Sequence, residues 1–364
     1  MMMNNPTMLS YIRREQSVLG NIVASYPDQI AKALATAPEK PQHWLVLATG
    51  SSKNAATTAR LYMQKIAGIQ VDVIAADQYL TYEPANATVD VVIAVSLDGD
   101  DATTLEAMRK AQTASQAYTI AVTAKKDAEL AVASDATVDL LTGKETITYI
   151  TLSFQAIVLT LMLLALRSAA DRSLLNDLEA NQELDDFSLL IEDMNHTIQQ
   201  ANDFYRKFTI DFTNSTEFTA IGASVLAGTL AEMQTKFTEI MRVPARGYTL
   251  AEFTHGGYLA AHEHHCQFYV ELATDPDVMA QLQAVKTYES RLTPHIYTIS
   301  LTGKQPELKD EQTLQLQAVE DPYKAPLLAI IPFQVLAWFT AKSKGINLNH
   351  PIFTDFHAQV DHQS

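Results

Sequence analysis

Short apolar segments alternate with helical segments over residues 43–139, and this alternation constrains the fold more than any other feature of the sequence. Each apolar segment resembles a short strand and is followed by a stretch with helical character. Parallel strands need such crossover helices to connect them. The strands themselves are apolar throughout, because helices cover both faces of the sheet. The predicted strands are His43–Thr49, Val71–Ala75, Asp90–Val95, Tyr118–Val122 and Ala136–Asp139. The sequence therefore predicts an α/β unit in three layers, with helices on both sides of a parallel sheet.

The pattern restarts in the second half of the chain, which we interpret as a diverged internal duplication of the α/β unit. Predicted strands there are Phe218–Gly222, Arg246–Tyr248, Cys266–Leu272 and His295–Ile299, with helices at Val225–Met241, Val278–Tyr288 and Pro326–Lys342. The first domain is predicted over residues 1–180, with an N-terminal helix over Thr7–Thr36, and the second over residues 181–364, with a C-terminal helix and tail. The helical region from Tyr149 to about Asn202 is expected to break near Asp171 and near Asp185, and the acidic segment Asn176–Asp186 is predicted to be a linker.

Composition narrows the classes of protein that this chain can represent. The 364 residues suit two domains of ordinary size, and the net charge of −16 argues against broad binding to nucleic acid or to anionic membranes. The single cysteine, Cys266, permits no intrachain disulfide and has no metal-binding spacing. The longest apolar run, Ile157–Leu166, is too short to span a bilayer and is predicted to be a buried core helix. No secretory signal is visible, so we expect a soluble cytoplasmic protein, with no cofactor and no bound metal.

Two turns rich in small polar residues follow the first and third predicted strands. Gly50-Ser51-Ser52-Lys53 ends the first strand, and the segment Ser96–Asp101 ends the third. The start of a helix after a parallel strand presents free backbone N–H groups and hydroxyls to an anion. Serine at these positions also serves as an ordinary helix N-cap, which uses the same geometry and does not exclude ligand binding. The two turns are expected to build one pocket at the carboxyl ends of neighbouring strands.

Several motifs, taken in order, resemble the tandem SIS-domain (sugar isomerase) family. They are Thr49-Gly50-Ser51-Ser52, the turn and helix Ser96–Thr104, Thr142-Gly143-Lys144-Glu145, the segment Glu232–Glu239, Glu252-Phe253-Thr254-His255-Gly256 and Asn349-His350-Pro351. The family includes the isomerase half of glucosamine-fructose-6-phosphate aminotransferase, fructosamine deglycases and aminosugar deaminase-isomerases. The resemblance implies two SIS-type domains, a sugar phosphate or aminosugar derivative held by the serine turns of the first domain, and a homodimer with a shared active site.

The resemblance also implies roles for individual residues. Glu239 would move a proton between two adjacent sugar carbons, and His255, often reaching across the dimer interface, would open the sugar ring. The phosphate and substrate contacts would come from the two serine turns and from the Thr142–Glu145 motif: Gly50, Ser51, Ser52, Lys53, Ser96, Asp98, Asp101 and Glu145.

Helical spacing places Glu232, Lys236 and Glu239 on one face, where Lys236 could stabilise a developing oxyanion. The alternative is a solvated charged face with one Glu–Lys pair. His255 precedes two glycines that let its imidazole reach outward, and the alternative there is a surface or capping histidine. The cluster His262–His265 lacks the spacing of a zinc helix, so we predict a solvated polar loop and no metal site.

The sequence departs from the family pattern in two places. Asp98 and Asp101 stand where phosphate-binding relatives carry serine and threonine, so either the phosphate lies elsewhere, or Lys53 offsets the charge, or the ligand is cationic or neutral at that end. The C-terminal segment Thr354–His357 lacks the lysine that opens the sugar ring in the synthase, and His357 could replace it.

Three functions remain open at this point. The first is an enzyme that acts on an amino- or N-substituted sugar phosphate as an isomerase, deaminase or deglycase. The second is a non-catalytic sugar-phosphate sensor or binding protein of the same fold. The third has Asp98, Asp100 and Asp101 cradling a substrate ammonium or a divalent cation, against the alternative that they only complement the helix dipole.

Overall fold

The computed structural model describes residues 6–303, 310–350 and 352–360. Three short helices open the chain, α1 (Met8–Ile12), α2 (Glu15–Ala24) and α3 (Tyr26–Leu34), where the sequence predicts one. Reciprocal hydrogen bonds between Thr7 and Ser10 cap α1, and a proline occupies the first turn of α3, where its missing N–H costs nothing. The three helices end before the first strand, as expected.

The first sheet has five parallel strands in the order β2-β1-β3-β4-β5, which confirms the predicted strands. Their bounds are β1 (His43–Ala48), β2 (Gln70–Ala75), β3 (Val91–Val95), β4 (Tyr118–Thr123) and β5 (Ala136–Asp139). Every residue of β1 and β3 is buried, as expected for central strands covered by helices on both faces. The chain order reverses between β1 and β3, and open α/β sheets bind ligands beyond the carboxyl ends of such a strand pair.

The second sheet repeats this topology and confirms the predicted duplication of architecture. Its order is β10-β9-β8-β6-β7, with β6 (Glu217–Gly222), β7 (Ala245–Thr249), β8 (His265–Glu271), β9 (Ile296–Ser300) and β10 (Thr313–Gln315). Counted from β6, the order of the strands is the same as in the first sheet, and all pairs are parallel. The three-residue strand β10 has no counterpart among the predicted strands, because so short a segment leaves little periodicity in the sequence.

Helices cover both sheets and supply the shared core. They are α4 (Gly50–Ala67), α5 (Ala76–Thr81), α6 (Ala102–Ser115), α7 (Glu129–Ala133), α8 (Leu152–Asp171), α9 (Asp177–Lys207), α10 (Thr209–Asn214), α11 (Ala227–Lys236), α12 (Leu250–Thr254), α13 (Pro276–Glu289), α14 (Pro326–Ser343) and α15 (Phe356–Val360). By length and composition alone, α8 and α14 could cross a membrane, but most of each helix is buried inside the protein. Burial of this kind is typical of core helices, and it confirms the prediction for the run Ile157–Leu166.

The segment predicted to be a linker, Asn176–Asp186, is instead the start of the continuous helix α9. Asn176 and Glu179 form a capping box that begins the helix, so the polar residues there are helix-start signals and not a flexible connection. The expected break near Asp185 is therefore wrong, while the break after Asp171 is confirmed. The predicted domain boundary between residues 180 and 181 falls in the early turns of α9 and stays a prediction.

Helix α4 begins five residues earlier than predicted, at Gly50 instead of Ala55. The small polar residues Ser51, Ser52, Lys53 and Asn54 are therefore its first turns and not a loop before it. Gly50 has a φ of +51°, which glycine adopts at no steric cost, so the chain turns sharply from β1 into the helix.

Candidate functional site

A cavity of about 660 Å³ opens at the carboxyl ends of the first sheet, where the strand order reverses. Its walls come from the residues that follow β1, β3 and β4 and from the loop that leads into α8. The lining residues are Thr49, Ser52, Val95, Ser96, Leu97, Asp98, Asp100, Asp101, Ala124, Lys125, Gly143, Lys144, Glu145 and Ser153. The predicted binding residues Ser52, Ser96, Asp98, Asp101 and Glu145 thus share one cavity, whereas Gly50, Ser51 and Lys53 lie beside it without lining it.

The start of α4 presents an open anion-binding geometry to this cavity. Its N-cap residue, Thr49, makes no side-chain capping hydrogen bond. Ser52 is only 8% exposed and lines the cavity, and its hydroxyl has no hydrogen-bond partner in the part of the chain that the structure describes. Because the first N–H groups of a helix lack partners within it, this end of α4 can accept an anion.

The turn after β3 is held together by its own polar groups. The hydroxyl of Ser96 donates to Oδ1 of Asp98 at 3.3 Å and accepts the N–H of Gly99 at 3.2 Å. Asp101 is the N-cap of α6, where one carboxylate oxygen accepts the N–H of Thr103 and the other accepts the Thr104 hydroxyl. The prediction that Asp101 binds the substrate is untested, but its acceptors are already used by α6.

Of the two lysines in the cavity wall, Lys125 forms an ion pair and Lys144 is exposed. The ammonium of Lys125 donates to Asp100 at 2.9 Å, and this hydrogen bond lowers the pKa of the Asp100 carboxyl. Lys144 is exposed at the opposite side, in the loop before α8. The carboxylates of the lining therefore outnumber its free cations.

Glu145 caps the buried helix α8. One of its oxygens accepts the N–H of Thr151 at 2.9 Å, and the other accepts the N–H of Ser153 at 3.0 Å. A carboxylate in this position satisfies unpaired donors and complements the positive end of the helix dipole. The residue lines the cavity with both oxygens bound to the protein itself, and its predicted contact with the substrate stays a prediction.

The row Glu232, Lys236 and Glu239 is assembled as predicted, but two of its members are buried. The ammonium of Lys236 lies 2.8 Å from Glu239 and 3.5 Å from Glu232, and the side chains of Lys236 and Glu232 are each 1% exposed. The alternative of a solvated charged face is therefore wrong for these two residues. Glu239 lies in a π-helical turn, Phe237–Met241, that follows α11, and its carboxylate remains partly exposed.

Burial and neighbouring charges act in opposite directions within this row. Burial raises the pKa of Glu232, and the ammonium of Lys236 only partly offsets this. Burial alone would lower the pKa of Lys236, but the two flanking carboxylates outweigh it and raise that pKa. Lys236 therefore stays protonated between them at neutral pH.

None of the three residues of the row lines the cavity, and helix α4 joins the row to it through a residue that the sequence analysis did not single out. Nδ2 of Asn54, in the early turns of α4, donates to Oε2 of Glu232 at 2.9 Å and lies 3.3 Å from the hydroxyl of Thr235. The two helices can approach this closely because α11 carries Gly228 against the backbone of α4. Asn54 stands two residues after Ser52, so the only signal in the sequence was its place in the polar run. Lys125 and Ser153 were missed for the same reason, since each is one polar residue near the end of a buried segment.

His255 lies apart from these groups within one chain. It ends α12 in an exposed position, and within the described residues its imidazole makes no hydrogen bond and no ion pair. Its predicted role therefore depends on a second subunit and stays a prediction. The side chain of His357, proposed as a replacement for the missing lysine, lies outside what the structure describes.

The histidine cluster departs from the predicted solvated loop at one residue. His265 begins β8, is fully buried and lies 2.8 Å from the hydroxyl of Thr219, while His262 stacks on it. Burial lowers the pKa of His265, so its imidazole is neutral in the core. Across the described ranges, no group of three or more His, Cys, Asp or Glu side chains is arranged to hold a metal ion.

Comparison with known proteins agrees with the predicted resemblance. Residues 39–167 match the family model of the SIS domain, and this region holds the first sheet and the cavity. Glutamine–fructose-6-phosphate aminotransferase [isomerizing] from Aquifex aeolicus is 22% identical over 84% of this chain and 50% of its own length. The chain spans about half the length of the curated relatives it matches.

Solved structures share the fold over most of the chain. The C-terminal domain of glucosamine-fructose-6-phosphate aminotransferase from Francisella tularensis superposes with a TM-score of 0.83 at 20% identity, over 96% of this chain and all of that domain. Glucosamine-6-phosphate deaminase from Thermotoga maritima superposes with a TM-score of 0.74 at 20% identity, over 94% of this chain and 98% of the deaminase chain. Residues 39–167 resemble a SIS domain, and the second sheet has the same strand order as the first, which confirms the predicted α/β architecture and is consistent with two SIS-type units.

Proposed function

We propose that the protein is a cytoplasmic homodimeric enzyme that acts on an amino- or N-substituted sugar phosphate. The reaction would be of the aldose–ketose isomerase, deaminase or fructosamine-phosphate deglycase type, through an enediol or enediolamine. The coarse part of this proposal, a phosphosugar isomerase-type SIS protein, agrees with the names of its relatives and structural neighbours.

The observation that carries the proposal is the chain of contacts from the cavity helix to Glu239. Asn54 on α4 holds Glu232, Glu232 and Glu239 flank Lys236, and Ser52 lies two residues from Asn54 at the cavity wall. A carboxylate that is half exposed and fixed by a buried ammonium is suited to repeated proton transfer, because its position is set while its second oxygen stays accessible.

The proposed step moves one proton between neighbouring carbons. Glu239 removes a proton from the carbon beside the carbonyl or imine, and the electron pair shifts to form the enediol or enediolamine. The protonated Glu239 then returns the proton to the adjacent carbon, while the buried Lys236 holds the Glu239 carboxylate in position and would act on the developing negative charge of the substrate oxygen through its own positive charge and not by contact. His255, exposed on one subunit, would protonate the ring oxygen of a substrate bound in the neighbouring subunit.

The test is an assay for released amine or sugar phosphate with fructosamine phosphates and glucosamine 6-phosphate as substrates. We expect Glu239→Gln to lower turnover by about 10²–10⁴-fold, the range attributed to general acid–base catalysis. Glu320→Gln, which changes an exposed glutamate of the second half of the chain, is the matched control. Full activity in Glu239→Gln would refute the assigned role.

The second candidate is a non-catalytic sugar-phosphate sensor or binding protein, which Asp98 and Asp101 favour. Asp98 and Asp101 replace a serine and a threonine of the phosphate-binding turn, and we expect such a change in a pocket that binds a sugar phosphate without turning it over. Thermal-shift screening with phosphosugars, followed by a turnover assay on each ligand that binds, separates the two candidates. Binding without turnover in wild type would favour the sensor.

A further inference from the structure

Three helix N-termini lie at the cavity, and the protein itself already occupies two of them. The side chain of Asp101 caps α6 through one oxygen while its other oxygen accepts the Thr104 hydroxyl, and Glu145 caps α8 through both of its oxygens. At α4 no side chain plays this part, and the hydroxyl of Ser52, a residue only 8% exposed that lines the cavity, has no partner among the described residues. An anionic ligand group therefore finds free donors at α4 and a carboxylate at each of the other two helix starts.

Asp98 is the lining carboxylate with an unused acceptor. Its Oδ1 accepts the Ser96 hydroxyl and the N–H of Asp100, each at 3.3 Å, while Oδ2 accepts no hydrogen bond from any described residue. Asp98 is exposed and lines the cavity, and Lys125 of the same wall is already paired with Asp100. A phosphate dianion has no hydrogen to donate to Oδ2 and would be repelled by its charge, whereas a hydroxyl or an ammonium would donate.

We propose that the turn carrying Asp98 is a specificity filter that rejects phosphate and accepts a hydrogen-bond donor of the sugar, a hydroxyl or an amino group. The inference rests on the proposed function for the identity of the cavity as the substrate site. It deepens that function by orienting the ligand, with the phosphate against α4 and Ser52 and a donor-bearing part of the sugar against Asp98. Removing the charge of Asp98 should therefore weaken binding, although it makes the cavity less repulsive to anions.

The experiment is calorimetric titration of the full chain with glucosamine 6-phosphate and with glucosamine. Wild type should bind both, the phosphorylated probe more tightly. Asp98→Asn should weaken both probes by a similar factor of about five or more, because a charged acceptor is lost and the phosphate contact is kept. Ser52→Ala should weaken the phosphorylated probe alone. Asp77→Asn, which removes one exposed charge from α5 outside the cavity wall, should leave both affinities unchanged.

Three results would overturn the filter. Tighter binding of glucosamine 6-phosphate to Asp98→Asn would mean that the phosphate faces this residue. Unchanged affinity of Asp98→Asn for both probes would mean that Asp98 contacts neither of them. If wild type bound neither probe, the cavity would not accept a donor-bearing sugar as the proposal requires. Turnover measurements separate this inference from the proposed function: activity that depends on Glu239 can persist while the filter fails, and the predicted affinity pattern can hold without turnover.

Discussion

Asn54 and Glu232 lie on different sides of the duplication, and they meet in one hydrogen bond of 2.9 Å from the amide nitrogen to the carboxylate. Asn54 belongs to the helix that begins at the cavity, and Glu232 belongs to the helix that leads into Glu239. Glu232 is almost fully buried, and its second oxygen accepts no hydrogen bond from a described residue, though Lys236 lies 3.5 Å away. The side-chain amide of Asn54 is therefore an uncharged hydrogen-bond donor to the buried carboxylate of Glu232. This hydrogen bond joins α4 in the first half of the chain to α11 in the second half.

Replacing Asn54 should destabilise the protein. Asn54→Ala leaves the buried Glu232 carboxylate without this donor, which is expected to cost about 1–3 kcal/mol. Asn54→Asp should cost more, because it places two carboxylates within hydrogen-bonding distance. The shift of the urea unfolding midpoint measures both effects. Asn195→Ala, at an exposed position of α9, is the control and should change stability by less than about 0.5 kcal/mol. Equal midpoints for Asn54→Ala and Asn195→Ala would contradict the proposed contact.

Glu15 predicts a pH dependence of stability that sequence reasoning did not anticipate. Burial, and then the charge of Glu145, hold the pKa of Glu15 well above its ordinary value of 4.5. Gln155 and Gln334 lie close enough to oppose this rise without forming a hydrogen bond of standard geometry with either carboxyl oxygen. The folded protein therefore keeps a proton on Glu15 at pH values where the unfolded chain has lost it.

Stability should consequently fall as pH rises from about 4.5 towards the raised pKa of Glu15, by up to about 1.4 kcal/mol per pH unit from this group. Glu15→Gln removes the titration, so its stability relative to wild type should increase as the pH is raised from 5 to 8. Denaturant unfolding at several pH values measures this difference. Glu106→Gln, at an exposed position of α6, should show no such trend. A difference between Glu15→Gln and wild type that does not change with pH would disprove the prediction.

A buried lysine and a surface lysine provide a matched pair of tests. Lys324 is 2% exposed and contacts Glu183 at 2.9 Å and Asp186 at 2.6 Å, which joins the segment before α14 to α9. Burial alone would raise the pKa of Asp186, but its hydrogen bonds with Lys324 and Gln182 and the charge of Lys324 together outweigh this and lower that pKa. Lys65 pairs with Asp321 at 2.9 Å but is half exposed.

Lys324→Met should destabilise the protein by about 3–5 kcal/mol, because it leaves two carboxylates in a partly dry site without their cation. Lys65→Met should cost less than about 1 kcal/mol, since solvent screens the exposed pair. Thermal unfolding of the two variants beside wild type gives the comparison. Similar losses in both would show that burial does not distinguish these ion pairs.

The sequence predicted the layers of the fold much better than the contacts between them. Strands such as His43–Ala48 are apolar and bounded by turn residues, so local pattern was enough to place them. The start of α4 was misplaced because Ser51 to Asn54 suit a turn as well as a helix start, and only the packing against α11 decides between them. In the candidate site, neighbours along the chain such as Asp98 and Ser96 were found together, whereas Asn54 and Glu232 are separated by 178 positions. No local pattern reports a contact of that range, and the protonated state of Glu15 depends on burial that the sequence does not display.

Gly228 should be the position least tolerant of an added methyl group at the contact between α4 and α11. A Cβ there would lie 2.4 Å from the backbone oxygen of Asn54 and 2.4 Å from the backbone nitrogen of Thr58, which cannot move without shifting α4. Gly228→Ala should therefore destabilise the protein by about 1–3 kcal/mol, the usual cost of overpacking, and should lower ligand affinity by displacing the helix that carries Ser52. Gly20→Ala in α2 is the control: a Cβ there meets nothing within 4 Å, so the higher helix propensity of alanine should stabilise the protein by about 0.5–1 kcal/mol. Unfolding midpoints and probe titrations of both variants test the argument, and a Gly228→Ala protein that is as stable as Gly20→Ala would mean that the two helices do not approach as closely as described.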